Sequence, residues 1–281
     1  MNASTITKEN MIAFADHLKT EEKAQATIEK YGRDVAAFAL WRGGLSITKE
    51  TAADYKKHLL CIGRVASGVN AVIAALNSFF SFMGWEIKLK PLKIQRQTFR
   101  DKDRELSKAE YIRLLNAARS NGNERLYLVL QTICSTGIRV SELRYITVEA
   151  AKTGQAIISN KGKTRTVFIP KKLNPLLLSF AKGRGIISGS IFITRTGKPL
   201  DRSNIWDEMK QLCDTAAVDA SKVYPHNLRS LFARLFYGID KDVVRLADIL
   251  GHSDVNTTRI YLRESREQHR KRVDAMALIM T

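Results

Sequence analysis

The sequence predicts a mainly α-helical protein with one small β-hairpin, arranged as two domains. Three observations carry this reading. The chain has 281 residues, long for a single core and sufficient for two. Apolar residues recur at helical spacing through most of it, and 44% of all residues are hydrophobic, as a folded chain requires and a disordered basic tail lacks. The segment "QAIISNKGKTRTVFIP" breaks that pattern with two β-rich runs.

Taken in order, "TKENMIAFADHLKTEEKA", "ATIEKYGRDVAAFALWRG", "TKETAADYKKHLL" and "ASGVNAVIAALNSFFSFMGW" each carry an apolar helical stripe with Ser, Thr or Gly near an end, so residues 1–86 form a small helical bundle. Tyr31, Val35, Phe38 and Trp41 fall on or near one face of the second helix and belong to its core. From residue 87 to 104 the stripe is lost. Pro91 and the alternating cations Lys88, Lys90 and Lys93, followed by Arg96 and Arg100, mark a basic linker suited to tracking a phosphate backbone. The second domain, 105–281, opens with Ser107 and Glu110 at capping-box spacing before an apolar run. Helices follow, interrupted by strands at Gln155–Ser159 and Arg165–Ile169 that flank a turn bearing Lys161 and Lys163.

Charge narrows the function. Lys and Arg number 46 against 28 Asp and Glu, a formal net charge of +18, so a polyanion is the expected partner. No apolar run reaches spanning length and the N-terminus lacks the regions of a signal peptide, which points to the cytoplasm rather than a membrane. Cys61, Cys134 and Cys213 are odd in number and far apart, with no histidine at metal-ligand spacing, and read as reduced packing residues.

Several polar signals fall in the second domain. In "TGIRVSEL", Arg139 and Glu142 stand three residues apart, so the carboxylate can reach back to the guanidinium. In "YPHNLRSLF", His226 and Arg229 follow Pro225 in the first turn of an apolar helix, where an anion is favoured. In "LADILGHSDVNTTRIYLRES", Gly251 stops a helix, His252 sits at the junction, and Tyr261 lies nine residues on. Each pair alone is compatible with an ordinary surface ion pair or a capped helix.

Together, Arg139, a hairpin lysine, His226-x-x-Arg229, and His252 followed by Tyr261 reproduce an ordered set. The chain resembles the tyrosine recombinase, or phage integrase, family in a Xer-like two-domain layout. The resemblance implies a SAM-like helical core-binding domain followed by a catalytic domain. It implies that Arg139 and Arg229 neutralise a DNA phosphate and that Tyr261 attacks it to form a 3′-phosphotyrosyl link. Lys161, preferred over Lys163, would protonate the leaving 5′ oxygen. His226 would assist proton transfer or hold the phosphate, His252 would bond a phosphate oxygen, and Glu142 would orient Arg139. The covalent link conserves bond energy, so no ATP, cofactor or metal is implied. Lys163 and Arg165 join the linker cations as expected DNA contacts. Two positions depart from the pattern of many relatives: Ser230, where a second basic or imidazole residue is common, and Asn227.

The resemblance further implies duplex DNA with inverted-repeat half-sites, a Holliday junction, and a homotetramer on two duplexes. Mobile-element integration or excision, or DNA inversion, is the expected setting. Val273, Met276, Ala277 and Met280 form an apolar stripe in a tail that would dock on a neighbouring subunit. A type IB topoisomerase shares the chemistry, and a catalytically silent DNA-binding regulator shares the fold; both are alternatives.

Overall fold

The computed structural model describes residues 5–94, 102–160, 163–262, 266–276 and 278–279. The chain divides into two compact units, Met1–Arg96 and Gln97–Thr281. It is mainly helical, with one two-stranded antiparallel sheet among the described residues.

The first unit packs α1 (Lys8–Thr20), α2 (Gln25–Arg42), α3 (Lys49–Cys61) and α4 (Ala66–Phe82). Thr7 and Thr48 cap α1 and α3 by accepting the amides of Asn10 and Thr51. α4 is the central element. Its Val69, Val72, Ile73, Leu76, Phe79 and Phe80 are all buried, and burial of each such side chain contributes about 1.5–3 kcal/mol. Val35 and Phe38 are buried against it, with Tyr31 and Trp41 partly buried alongside, so the apolar face of α2 is core.

The linker begins later than the sequence suggests. Leu89 is buried in the first core and Ile87 and Leu92 pack against it. The alternating cations are the outward half of an amphipathic extended segment, and Lys88, Lys90 and Lys93 are exposed. Two asparagines of α4 hold this segment as a neighbouring strand would. Asn77 donates to Leu89 O at 2.9 Å and accepts the Leu89 amide at 2.8 Å. Asn70 does the same for Leu92 at 2.9 and 2.7 Å. Seven helical residues rise about 10.5 Å and three extended ones span about 10 Å, so the two clamps are in register. Arg96 and Arg100 lie outside the described residues.

In the second unit, Asn227 donates to Arg104 O at 2.9 Å, fastening the start of the domain. The capping box of α5 (Lys108–Ser120) is present, with the Glu110 amide on Ser107 at 3.1 Å and the Ser107 amide on Glu110 at 2.7 Å. Then come α6 (Glu124–Thr136), a 3-10 turn (Val140–Tyr145), α7 (Val148–Thr153), β1 (Gln155–Asn160) and β2 (Lys163–Phe168). The second strand starts two residues before the expected Arg165, and Ile158 faces Arg165 across the pair. α8 (Asn174–Gly183), α9 (Arg202–Gln211), α10 (Cys213–Ala216), α11 (Pro225–Asp240), α12 (Val243–Leu250), α13 (Val255–Arg259), a 3-10 turn (Ile260–Leu262) and α14 (Arg266–Ala275) complete it.

Most of these elements share one core, while α11, α12 and the last turn form a smaller cluster of Ala233, Leu246, Leu250 and Tyr261, flanked by Phe232 and Phe236. Cys134 and Cys213 are buried and Cys61 is exposed, all as free thiols. No described helix is long and apolar enough to cross a membrane.

Candidate active site

Two left-handed helix ends and one helix start bring the polar motifs together. α6 ends at Gly137 in the left-handed conformation, which turns the chain so that Arg139 caps the following 3-10 turn. Glu142 reaches back from that turn. Its Oε2 accepts the Arg139 amide at 2.7 Å and its Oε1 accepts Arg139 Nη1 at 2.9 Å. Arg139 keeps 36% of its side chain exposed, whereas Glu142 is buried. Burial alone would raise the Glu142 pKa, but bonds from Arg165 and Arg139 outweigh it and hold the carboxylate below its usual range.

Pro225 begins α11 and places His226 and Arg229 in its first turns. Arg229 is 2% exposed. It donates to Gly137 O at 2.5 Å and Leu250 O at 2.6 Å, carbonyls at the C-terminal ends of α6 and α12 whose dipoles favour a cation. α12 ends at Gly251, also left-handed, which delivers His252. His252 Nε2 lies 3.0 Å from Arg229 Nη2, and its Nδ1 lies 2.8 Å from the buried Thr258 hydroxyl. A guanidinium only donates, so His252 Nε2 accepts and its proton resides on Nδ1, facing Thr258.

Tyr261 occupies the turn after α13 and is 8% exposed. Its hydroxyl stands 3.5 Å from His226 Nε2, and its ring stacks near that of His252 at 5.9 Å between centroids. Both imidazoles are held neutral. Burial and then the charge of Arg229 lower His226, with Arg139 and Arg202 adding to it. Burial and then Arg229 depress His252 to about 4. Burial and the neighbouring Arg139 lower Arg229 to about 10, which leaves it charged at neutral pH. A neutral His226 beside the phenol can take its proton, and the fixed positive charges of Arg229 and Arg139 both act at that imidazole.

The phage integrase family matches residues 104–268, more than half of the chain. The chain belongs to the phage integrase family. The chain is 29% identical over 277 residues to the tyrosine recombinase XerD of Halalkalibacterium halodurans, covering 90% of this chain and 92% of that protein. A XerH site-specific recombinase bound to a palindromic difH substrate, in a post-cleavage complex, superposes with a TM-score of 0.75 at 18% identity, covering 97% of this chain and 90% of that one. A lambda integrase in a tetramer bound to a Holliday junction superposes at 0.70 with 18% identity, covering 92% and 78%.

Of the residues singled out in the sequence, Arg139, Glu142, His226, Arg229, His252 and Tyr261 meet in this one site. Lys161 lies outside the described residues, as does the side chain of Lys163. Arg165 requires a correction. Expected as a DNA contact, it is turned inward with 14% of its side chain exposed, donating to both Glu142 oxygens at 3.0 and 2.7 Å and to Ile249 O at 3.2 Å. Its guanidinium is occupied by a buried carboxylate. The departures at Asn227 and Ser230 are structural here, since Asn227 ties Lys222 O and Arg104 O while Ser230 bonds its own helix at His226 O.

Two contributors escaped the sequence reading. Arg202, at the start of α9, adds positive charge at His226, and a lone arginine after an aspartate cap gives no motif. Thr258 holds the His252 ring by its Nδ1 at 2.8 Å, visible in sequence only as one of two threonines before the tyrosine. Among the described residues no cluster of His, Cys, Asp or Glu is placed to hold a metal.

Proposed function

We propose that this tyrosine recombinase cuts and rejoins duplex DNA at inverted-repeat half-sites through Tyr261. The observation that carries the reading is the Tyr261 hydroxyl beside a neutral His226, an imidazole on which the charges of Arg229 and Arg139 both act. The phenol passes its proton to His226 and its oxygen attacks phosphorus. A phosphotyrosyl bond forms and the bond to the 5′ oxygen breaks, that oxygen taking a proton from Lys161. Attack by a 5′ hydroxyl of a second strand reverses these events, releases Tyr261 and leaves a Holliday junction after the first exchange. One phosphoester replaces another, so the cycle needs no ATP, cofactor or redox step.

His252 passes from accepting Arg229 to donating to a phosphate oxygen, which requires a proton on Nε2 that the free site lacks. The incoming phosphate charge stabilises the imidazolium that supplies it. The exposed cations Lys88, Lys90 and Lys93 and the formal charge of +18 support phosphate contacts along the duplex. Of the apolar tail stripe, Val273 and Met276 are exposed, as are Leu278 and Ile279 beyond α14, while Ala277 and Met280 lie outside the described residues; the exposed apolar tail supports docking on a neighbouring subunit within a tetramer on two duplexes. Integration or excision of a mobile element, or inversion, is the setting for which such an exchange serves.

The test uses a duplex selected from a random library by binding to this chain, nicked so that the cleaved end diffuses away. Wild type accumulates a covalent protein–DNA adduct, and Tyr261→Phe forms none while binding the duplex as before. An adduct in the Phe variant at the same phosphate would assign the nucleophile elsewhere. Relaxation of a supercoiled plasmid without any strand exchange would favour the topoisomerase alternative. A substrate with sulfur as the 5′ leaving atom rescues Lys161→Ala; rescue of Lys163→Ala instead would move the general acid.

A further inference from the structure

We propose that Arg165 is a positioning residue for strand cleavage: it holds Glu142, and through it Arg139, while tying the same corner to the loop that delivers His252. The proposal rests on the reading of Arg139 as a phosphate ligand.

The geometry assigns each part of this role. Arg165 lies on β2 opposite buried Ile158, so the strand's alternation points it inward with Val167. Its Nη1 and Nη2 bind the two oxygens of Glu142 at 3.0 and 2.7 Å, a paired geometry only arginine provides. The same oxygens carry the Arg139 amide and Arg139 Nη1. Meanwhile Arg165 Nε reaches Ile249 O on α12, two residues before Gly251. The chain there passes so close that a Cβ on Gly251 would lie 2.8 Å from Arg165 Nη1 and 2.9 Å from its Cδ. One guanidinium thus joins the Arg139 turn, the hairpin and the end of α12.

Charge explains why a second arginine is present. A buried carboxylate facing Arg139 alone would be poorly compensated and would take up a proton, losing a bond that holds Arg139 in place. Arg165 supplies the counter-charge, so the trio keeps a net positive charge and Arg139 retains an exposed edge. The charged or titratable groups around Glu142 are Arg139 on its own turn, Arg165 from β2 and Arg229 from α11, with His252 beyond α12 in the field of the same arginines. Removing Arg165 leaves burial, the largest influence on Glu142, opposed by less, and the carboxyl takes up a proton at higher pH.

The experiment compares wild type, Arg165→Met, Arg165→Lys and the double variant Glu142→Gln/Arg165→Met on the selected, nicked duplex. Arg165→Met binds the duplex with wild-type affinity and salt dependence. Its adduct forms about 100-fold more slowly at neutral pH, the scale of a misplaced reacting group. The rate recovers as pH rises and Glu142 ionises. The double variant is slow without that recovery, and Arg165→Lys, keeping the charge but not the paired bonds, falls between. In parallel, the Glu142 carboxyl followed by carbon-13 NMR titrates at higher pH in Arg165→Met than in wild type, with no DNA required. A wild-type rate in Arg165→Met, slowness equal at every pH, or an unshifted Glu142 titration would overturn the proposal. So would a salt slope reduced by about 0.9, the mark of a lost phosphate contact. Should Arg165→Met not fold, a wild-type rate in Arg165→Lys would overturn it as well. Failure of wild type to form any adduct would refute the recombinase reading instead, and the NMR titration still decides the role of Arg165.

Discussion

Replacing Gly137 by alanine tests how the end of α6 supports the site. Gly137 has φ +68°, and a Cβ there would stand 2.4 and 2.5 Å from the Phe232 ring, with Leu250 at 3.1 Å. The left-handed backbone costs an alanine about 1 kcal/mol. The ring must then retreat by roughly an ångström into the cluster that holds Tyr261, and such overpacking costs about 1–3 kcal/mol more. Gly122 provides the control, since it has φ +66° in the same unit with nothing near its missing Cβ. By calorimetry, Gly122→Ala lowers the melting of the second unit by roughly 2–4 °C, and Gly137→Ala lowers it by roughly 2–12 °C beyond that. The Gly137 variant also forms adduct more slowly, because Gly137 O holds Arg229 and Phe232 flanks Tyr261. Equal melting of the two variants would refute the packing argument.

Asn77→Ala removes both bonds to Leu89, each worth about 1 kcal/mol, and speeds hydrogen exchange at the Leu89 amide; unchanged exchange would show that the clamp does not form in solution. Acid weakens the second unit through His252, whose folded pKa of about 4 lies below its ordinary 6.5. The unfolded chain therefore binds more protons between those values, so the stability is full above 6.5 and is lost as pH falls toward 4. The half-exposed ring reduces this to about 1–2 kcal/mol in urea titrations, and His252→Gln should show a smaller acid loss; an equal loss would remove His252 as its source. Deleting the residues after Arg272 leaves binding to one half-site unchanged but weakens cooperative binding and strand exchange. Full-rate exchange by the truncated chain would make the tail dispensable.

Local chemistry made much of this fold legible in the sequence. The Ser107–Glu110 box and the hairpin depend on neighbours in the chain, and the ordered motifs carried Arg139, His226, Arg229, His252 and Tyr261 into one site. Two features hidden in the sequence share a cause. Lys88 and Lys90 stand out as charges, while Ile87 and Leu89, which alternate with them, cover the first core. Arg165 stands out as a cation near a basic turn, although it alternates with Val167 and Ile169, both buried. In each case the period of two was present and charge obscured it. The partner that makes an inward arginine tolerable, Glu142, lies 23 residues away, and sequence spacing does not reveal that meeting.

The two arginines proposed to hold the phosphate are secured by different kinds of group. Arg139 depends on a carboxylate, which one codon change can delete. Arg229 depends on the peptide oxygens of Gly137 and Leu250, which every amino acid possesses. A saturation scan would therefore find the support of Arg139 written at named side chains, Glu142 first and Arg165 behind it. The support of Arg229 would have no acidic position of its own and would surface only where a substitution distorts the main chain. For Arg229, inherited damage arrives through shape rather than through the loss of a partner.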